Sequence, residues 1–157
     1  MISTELFLRD VVETDLPLFY QDQLDPEAIH MVAFTPRERE VFDQHWLGTL
    51  ADPTIKKQTV VYQDEVAGYV LVFNRSGERE IGYWISKKFW GQGIASRAVM
   101  DFLQLETARP LCAHIAKHNK ASMRVLEKCG FRIVGEDKEF AKVGEKIIVG
   151  VVMRLAS

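Results

Sequence analysis

Ile81-Gly82-Tyr83-Trp84-Ile85-Ser86-Lys87-Lys88-Phe89-Trp90-Gly91-Gln92-Gly93-Ile94-Ala95-Ser96 is the stretch around which the chain is organised. Its first five residues are apolar or aromatic apart from one glycine, the mark of a well-buried strand. A short basic turn follows, then two glycines one residue apart, then helical periodicity out to Ala108. Ile94, Ala98, Phe102 and Leu105 recur at helical steps, so one face of that helix is expected to be apolar. A strand, a glycine-rich turn and a helix together suit an anion. The first N–H groups of a helix lack intrahelical partners and sit at the positive end of its dipole. Glycine lets a phosphate approach the backbone because no Cβ intervenes. The turn therefore reads as a pyrophosphate cradle.

Two common nucleotide signatures do not fit it. A P-loop needs Gly-Lys-Ser/Thr after its first glycine and four spacers, and the chain has no such triplet. In the dinucleotide fingerprint, Gly91 and Gly93 would be the first two glycines, but the third falls on Ser96. That fingerprint also wants an acidic residue about 20 positions on. The next strand, Leu111 to Ala116, has no carboxylate. A nicotinamide-dependent oxidoreductase is disfavoured on both counts.

The stretch instead resembles the acetyl-coenzyme A loop of the GNAT superfamily of N-acetyltransferases. Gly93 and Ala95 match the last fixed positions of that loop's pattern, while Trp90 stands where Gln or Arg is usual. A Tyr-Trp pair followed by Trp-Gly-x-Gly-x-Ala is similar to the branch that includes ribosomal-protein N-terminal acetyltransferases. Asn119-Lys120-Ala121-Ser122-Met123-Arg124-Val125-Leu126-Glu127-Lys128-Cys129-Gly130-Phe131 resembles a second motif of that branch. The two motifs occur in the right order, a crossover unit apart.

The remaining chain agrees with one α+β domain over residues 1–157. With 47% hydrophobic and 27% charged residues, it has the composition of an ordered globular protein. A net charge of −2 leaves no electrostatic footprint for nucleic acid. No run approaches the ~18 apolar residues of a membrane span. No basic region followed by an apolar run opens the chain, so no secretory signal is expected. Two cysteines, Cys112 and Cys129, are too few for a disulfide framework or a zinc site, so reduced thiols, a cytoplasmic setting and no metal are expected.

Strands are expected at Glu5–Val12, Lys57–Gln63, Glu65–Asn74, Arg79–Ile85, Leu111–Ala116, Phe131–Glu136 and Glu145–Leu155, the last two flanking a polar loop. Thr14 or Asp15 caps a short helix, and the segment from Gln21 to Thr35 reads as irregular. Thr35-Pro36-Arg37-Glu38 has the grammar of a helix start, and that helix should end near residue 50. Asp64 lies in a hairpin turn, and Gly68 suggests a bulge or a close approach. Lys120 to Gly130 is a further helix. The order β α α β β β α β α β β fits the fold that the resemblance implies. That fold is a twisted mixed sheet of about seven strands, with helices on both faces and its fourth and fifth strands splayed apart. The pantetheine arm of acetyl-coenzyme A would enter the gap.

The resemblance also implies roles. Backbone N–H groups of Gln92, Gly93, Ile94, Ala95 and Ser96 would hold the pyrophosphate, with the Ser96 hydroxyl adding a bond and Trp90 and Gly91 as further cofactor-binding residues of the loop. Asn119 would meet the pantetheine amides, or simply cap its helix. A main-chain amide near a bulge around Tyr83, Trp84 and Ile85 would polarise the acetyl carbonyl. Glu80 is the first candidate for the general base, because a carboxylate beside apolar residues gains a raised pKa; its alternative is a solvated residue in a charged turn. His114 is the second candidate, with a packing histidine as the alternative. No tyrosine follows Tyr83 in the chain, so Ser122 is the nearest donor to the leaving sulfur, and it also reads as a cofactor contact. Cys129 is not read as an acyl carrier, so transfer would be direct.

The acceptor would be a primary amine on a peptide N-terminus or a small molecule. Asp22, Asp25 and Glu27 are expected either to attract it or to form a solvated rim. A homodimer is common in the superfamily. The rival function is a GNAT-fold module that binds the cofactor as a sensor without catalysis.

Overall fold

The computed structural model describes residues 6–157. Strand β1 (Leu6–Asp10) is shorter than its expected range, and Glu5 lies outside the described residues. A 3-10 turn leads into helix α1 (Leu16–Asp22), followed by α2 (Pro26–Val32) and α3 (Arg39–Ala51). Next come β2 (Lys56–Tyr62), β3 (Glu65–Arg75), β4 (Glu78–Ile85), α4 (Ile94–Leu105), β5 (Leu111–Ala116), α5 (Lys120–Lys128), β6 (Arg132–Val143) and β7 (Lys146–Leu155). The strands form one sheet in the order β1-β2-β3-β4-β5-β7-β6.

Alternation along the central strands separates two cores, because successive side chains point to opposite faces. Val70, Val72, Ile81, Ile85, Leu111 and Ala113 bury against Ile94, Ala98, Phe102, Met123 and Leu126 of α4 and α5. Tyr69 and Leu71 turn the other way, onto Phe19 of α1 and Phe42 and Trp46 of α3. Helices therefore cover both faces, and each fully buried large apolar side chain contributes about 1.5–3 kcal/mol.

Four readings of the chain need correction. The segment from Gln21 to Thr35 is not irregular: it contains the end of α1 and all of α2. Asp25 caps α2 by accepting from the N–H groups of Glu27 and Ala28, and Pro26 occupies the first turn. Helix α3 starts at Arg39 rather than after Thr35, because Gln23 grips the residue 37 backbone in an extended link: Gln23 Oε1 accepts from the Arg37 N–H at 3.0 Å, and its Nε2 donates to the Arg37 carbonyl at 2.6 Å. Leu105, expected on the apolar face of α4, is 52% exposed at the helix end, and Val99 and Leu103 take that burial. The expected polar loop between the last strands is mostly strand, and β6 and β7 pair almost to a turn at Gly144.

Asp15 stands at the N-cap of α1, one of the two residues read for that place, but its side chain makes no capping bond to the helix and serves as an internal ion-pair partner. It is buried, takes two 2.8 Å bonds from Arg9, and accepts from the Thr59 hydroxyl at 2.7 Å. Burial opposes its ionisation, but Arg9, the Val12 N–H and Thr59 hold the carboxyl below its usual range.

The sheet opens at one place. Strands β4 and β5 are parallel and share a single register pair, Glu80 with Cys112, before they part. Beyond that bridge the edge of β4 facing β5 has no ladder. No bulge interrupts the pairing of β4 with β3; the register break lies one strand away, between Val60 and Val61, where β2 meets Gly68.

Candidate active site

The splay opens into a cleft of about 860 Å³ lined from several elements, including Glu80, Tyr83, Trp84, His114, Asn119 and Ser122. Strand alternation assigns these groups to two sides. Tyr83 points to the α4–α5 face with Ile81 and Ile85, whereas Glu80 and Trp84 point to the α1–α3 face. The cleft therefore runs through the sheet.

On the α4–α5 side, the Tyr83 hydroxyl and the Ser122 Oγ are hydrogen-bonded at 2.5 Å. Burial pushes the Tyr83 phenol up to about 12, although the bond to Ser122 pulls the other way. The pair holds its protons at neutral pH. Asn119 caps α5 by accepting from the Ser122 N–H at 3.2 Å, which fixes Ser122 at the mouth of the helix. Cys129, on the same side, has its thiol raised by burial and turned to the Ser96 carbonyl at 3.7 Å.

On the opposite side, Glu80 is 7% exposed. Its carboxylate is 3.4 Å from Arg75 Nη1 and 3.8 Å from His114 Nε2. Burial raises its pKa, and the charges of His114 and Arg75 lower it in part. His114 is held from its other nitrogen, with Nδ1 3.3 Å from Asp137 Oδ2. That contact keeps the imidazole beside Glu80. Cys112 joins this cluster, its polar atom within 4.8 Å of those of Glu80 and His114. Its thiol donates to Glu78 Oε2 at 3.1 Å and is pushed up to about 12, first by burial and then by that bond. A thiol held protonated in this way is a weak nucleophile.

The cradle lies beyond β4. Gly91 and Gly93 have φ of 77° and 75°, and Gly93 is the residue before α4. The first bond of that helix is Arg97 N–H to Gly93 O, so the N–H groups just ahead of Arg97 have no intrahelical acceptor. Trp90 anchors the loop, its Nε1 donating to the Ile85 carbonyl at 2.8 Å while the ring packs on the core. The indole thus has a structural job where the pattern usually carries a Gln or Arg. Gln92 is exposed and reaches only the Lys88 carbonyl, Ile94 and Ser96 are buried, and Ala95 is partly so. A Cβ built on Gly93 meets nothing of the protein within 4 Å, so the space before the helix is open. That openness and the unpartnered N–H groups fit a pyrophosphate.

A family model described as an acetyltransferase (GNAT) domain matches residues 5–132. The chain belongs to the GNAT acetyltransferases. The uncharacterized N-acetyltransferase p20 of Bacillus licheniformis is 25% identical to this GNAT chain, covering 94% of it and 90% of the relative. RimL, a ribosomal L7/L12 alpha-N-protein acetyltransferase solved with coenzyme A, superposes with a TM-score of 0.84 at 21% identity, over 99% of this chain and 96% of that one. Spermidine N-acetyltransferase from Vibrio cholerae, solved with coenzyme A and spermine, gives a TM-score of 0.85 at 18% identity, over 98% and 96%. These likenesses establish the GNAT fold. No helix among the described residues is long and apolar enough to cross a membrane.

The sequence candidates come together, with one surprise. Glu80 and His114, weighed as rival bases, are neighbours. Tyr83, read only for its backbone, brings its phenol to Ser122; alternation puts it on one face with Ile81 and Ile85 but does not say which helix that face meets. The acids Asp22, Asp25 and Glu27 do not line the cleft. Asp22 accepts from the Ser86 hydroxyl, Asp25 caps α2, and Glu27 faces Lys87 at 3.6 Å. Glu27 is exposed, as a solvated rim expects, whereas Asp22 and Asp25 are half-buried and hydrogen-bonded.

A first prediction follows from Gly93. An alanine there accepts a left-handed backbone at about 1–2 kcal/mol and places a methyl in the open cradle. Gly93→Ala is expected to weaken acetyl-coenzyme A binding at least tenfold. Gly93→Asn separates strain from blockage, because Asn tolerates this backbone but carries a larger side chain. Calorimetric titration of both variants, with their melting temperatures, is the check. Wild-type affinity in Gly93→Asn would place the phosphates elsewhere.

Proposed function

We propose that this protein is an acetyl-coenzyme A-dependent N-acetyltransferase that moves the acetyl group directly to a primary amine. The observation that carries the reading is the open splay, with a neutral Tyr83–Ser122 hydroxyl pair on one face and the Glu80–His114 pair on the other. The co-substrate supplies an activated thioester. Backbone N–H groups from Gln92 to Ser96 hold its pyrophosphate, and Asn119 and the free edge of β4 receive the pantetheine arm.

Glu80, with His114 beside it, accepts the proton lost by the amine as its nitrogen bonds to the carbonyl carbon. A main-chain N–H of the β4 edge near Tyr83 to Ile85 donates to the carbonyl oxygen as charge develops there. The carbon–sulfur bond then breaks, and Ser122, backed by Tyr83, donates to the departing sulfur. Both cysteine thiols stay protonated and hydrogen-bonded, which supports direct transfer over an acyl-enzyme. No step calls for a metal, and a cytoplasmic setting suits the free thiols.

The test has two parts. Calorimetric titration with acetyl-coenzyme A is expected to show saturable binding; none at millimolar concentration would end the reading. Thiol release with a panel of amines is then expected to follow. Binding without release from any amine class would instead favour a cofactor-binding module.

A further inference from the structure

The acceptor side of the cleft is poor in available acid. Among the described residues the carboxylates lining it are Asp52 and Glu80, and both are engaged. Asp52 accepts from the Thr54 N–H and hydroxyl at 2.9 and 2.7 Å, and Glu80 has Arg75 and His114. Cations are more numerous, with Arg37, Arg75 and Lys142 in the same lining. Arg75 has Glu80, but neither Arg37 nor Lys142 has a carboxylate within salt-bridge distance among the described residues.

Arg37 is the more telling of these two. It is half-buried, and its backbone is clamped at N–H and carbonyl by Gln23, itself only 3% exposed. Its guanidinium lies over the Phe34 ring at 5.5 Å from the centroid. Phe34 in turn meets Trp84 edge-on at 5.6 Å, and both rings line the cleft. The positive charge also acts on His45, where desolvation and then Arg37 lower the imidazole's pKa. A half-buried guanidinium on a clamped backbone, with no carboxylate partner among the described residues, is a receptor for an anion of planar geometry.

We infer that the acceptor amine carries a carboxylate and that Arg37 binds it at the Trp84 end of the cleft. This rests on the acetyltransferase reading and narrows its substrate class. Trp84 lies four residues beyond Glu80 on β4, roughly 13 Å along a strand. The carboxylate is therefore separated from the reacting amine by several bonds. The same charge balance opposes a polyamine, whose additional ammonium groups would face Arg37 and Lys142 with no free acid between them.

One ligand chemistry has two sources here, an amino acid with a distal carboxylate or a peptide with an acidic residue near its N-terminus. The experiment pairs each with its neutral counterpart: 6-aminohexanoate against its amide, and a tripeptide amide with glutamate at its third position against the same peptide with glutamine. Each is titrated into coenzyme A-saturated protein and assayed for thiol release with acetyl-coenzyme A, with spermidine as the cationic comparison. The acid form of one pair is expected to bind at least tenfold more tightly than its neutral form. Arg37→Met should erase that difference, and Arg37→Lys should restore part of it. Because Gln23 holds the backbone of residue 37 and not its side chain, both variants keep the loop anchored, and an unchanged melting temperature checks this.

Equal affinity within both pairs, no binding by either pair, or an acid preference that survives Arg37→Met would overturn the inference. Thiol release with spermidine or a neutral amine under those outcomes would leave the acetyltransferase reading standing. Absence of cofactor binding would remove that reading itself.

Discussion

Glu80→Gln is expected to lower kcat by about 10²–10⁴-fold, the range that a positioned general base contributes, while leaving acetyl-coenzyme A affinity unchanged. The amide keeps the shape of the carboxyl group but cannot take the proton of the attacking amine. In the unsubstituted protein the base works only when deprotonated, so the rate should climb with pH through an ionisation lying above the ordinary carboxylate range, since burial raises the Glu80 pKa. That limb should vanish in the variant. Loss of folding cannot account for the result. A carboxyl raised in the folded state stabilises the fold below its unfolded pKa and ceases to do so as pH rises through the folded value. At neutral pH, replacing it with a neutral amide removes that burden, so Glu80→Gln should melt no lower than the parent. His114→Asn is expected to do less, shifting the pH limb by removing the imidazole whose interaction with Glu80 partly offsets the effect of its burial. Should Glu80→Gln keep the rate and the limb while His114→Asn abolishes both, the imidazole is the base.

The parts of the site that could be read in the chain are those that backbone conformation dictates. Gly91 and Gly93 stand where φ is positive, and Asn119 stands where a helix needs a cap, so residue type alone points to both. The acceptor side follows no such grammar. The Asp25-Pro26 start of α2 obeys the rule applied at Thr35-Pro36, but the apolar residues after it are too few to display a period. At Thr35-Pro36 the rule misled because a tertiary contact, the Gln23 clamp on Arg37, holds that segment extended. The pairing of Tyr83 with Ser122 depends on which face of β4 meets α5, which sheet order decides rather than local sequence. The polar residues of β6 read as a loop because an edge strand with both faces near water has no alternation to show. Strand Leu111–Ala116, buried along most of its length, matched its expected bounds at both ends.

Gly68→Ala should cost about 3 kcal/mol or more, at the upper end of overpacking, and lower the melting temperature by roughly 6–12 °C for a domain of this size. A Cβ at residue 68 would lie 1.9 Å from the Trp84 carbonyl oxygen, 2.9 Å from its carbon and 3.0 Å from the Ile85 Cα. All three are backbone atoms, so no rotamer change relieves the clash and β4 itself must move. The movement would fall on the part of the strand that forms the site. Ile85 O receives the Trp90 indole that anchors the cradle, and the Ser86 N–H donates to the Ala67 carbonyl at 2.8 Å. Displacing Trp84 and Ile85 therefore loosens the loop and the open edge of β4 together. Cofactor affinity should fall even at temperatures where the variant is folded. Gly82→Ala provides the comparison from the same pair of strands, because a Cβ there meets only the Leu71 and Phe73 side chains at 3.7 and 4.0 Å, ordinary contact distances. It should stay within about 1 kcal/mol of the parent. Equal melting temperatures for the two variants would mean that β3 and β4 can separate at Gly68 without cost, and that the close approach does not hold the end of β4 in place.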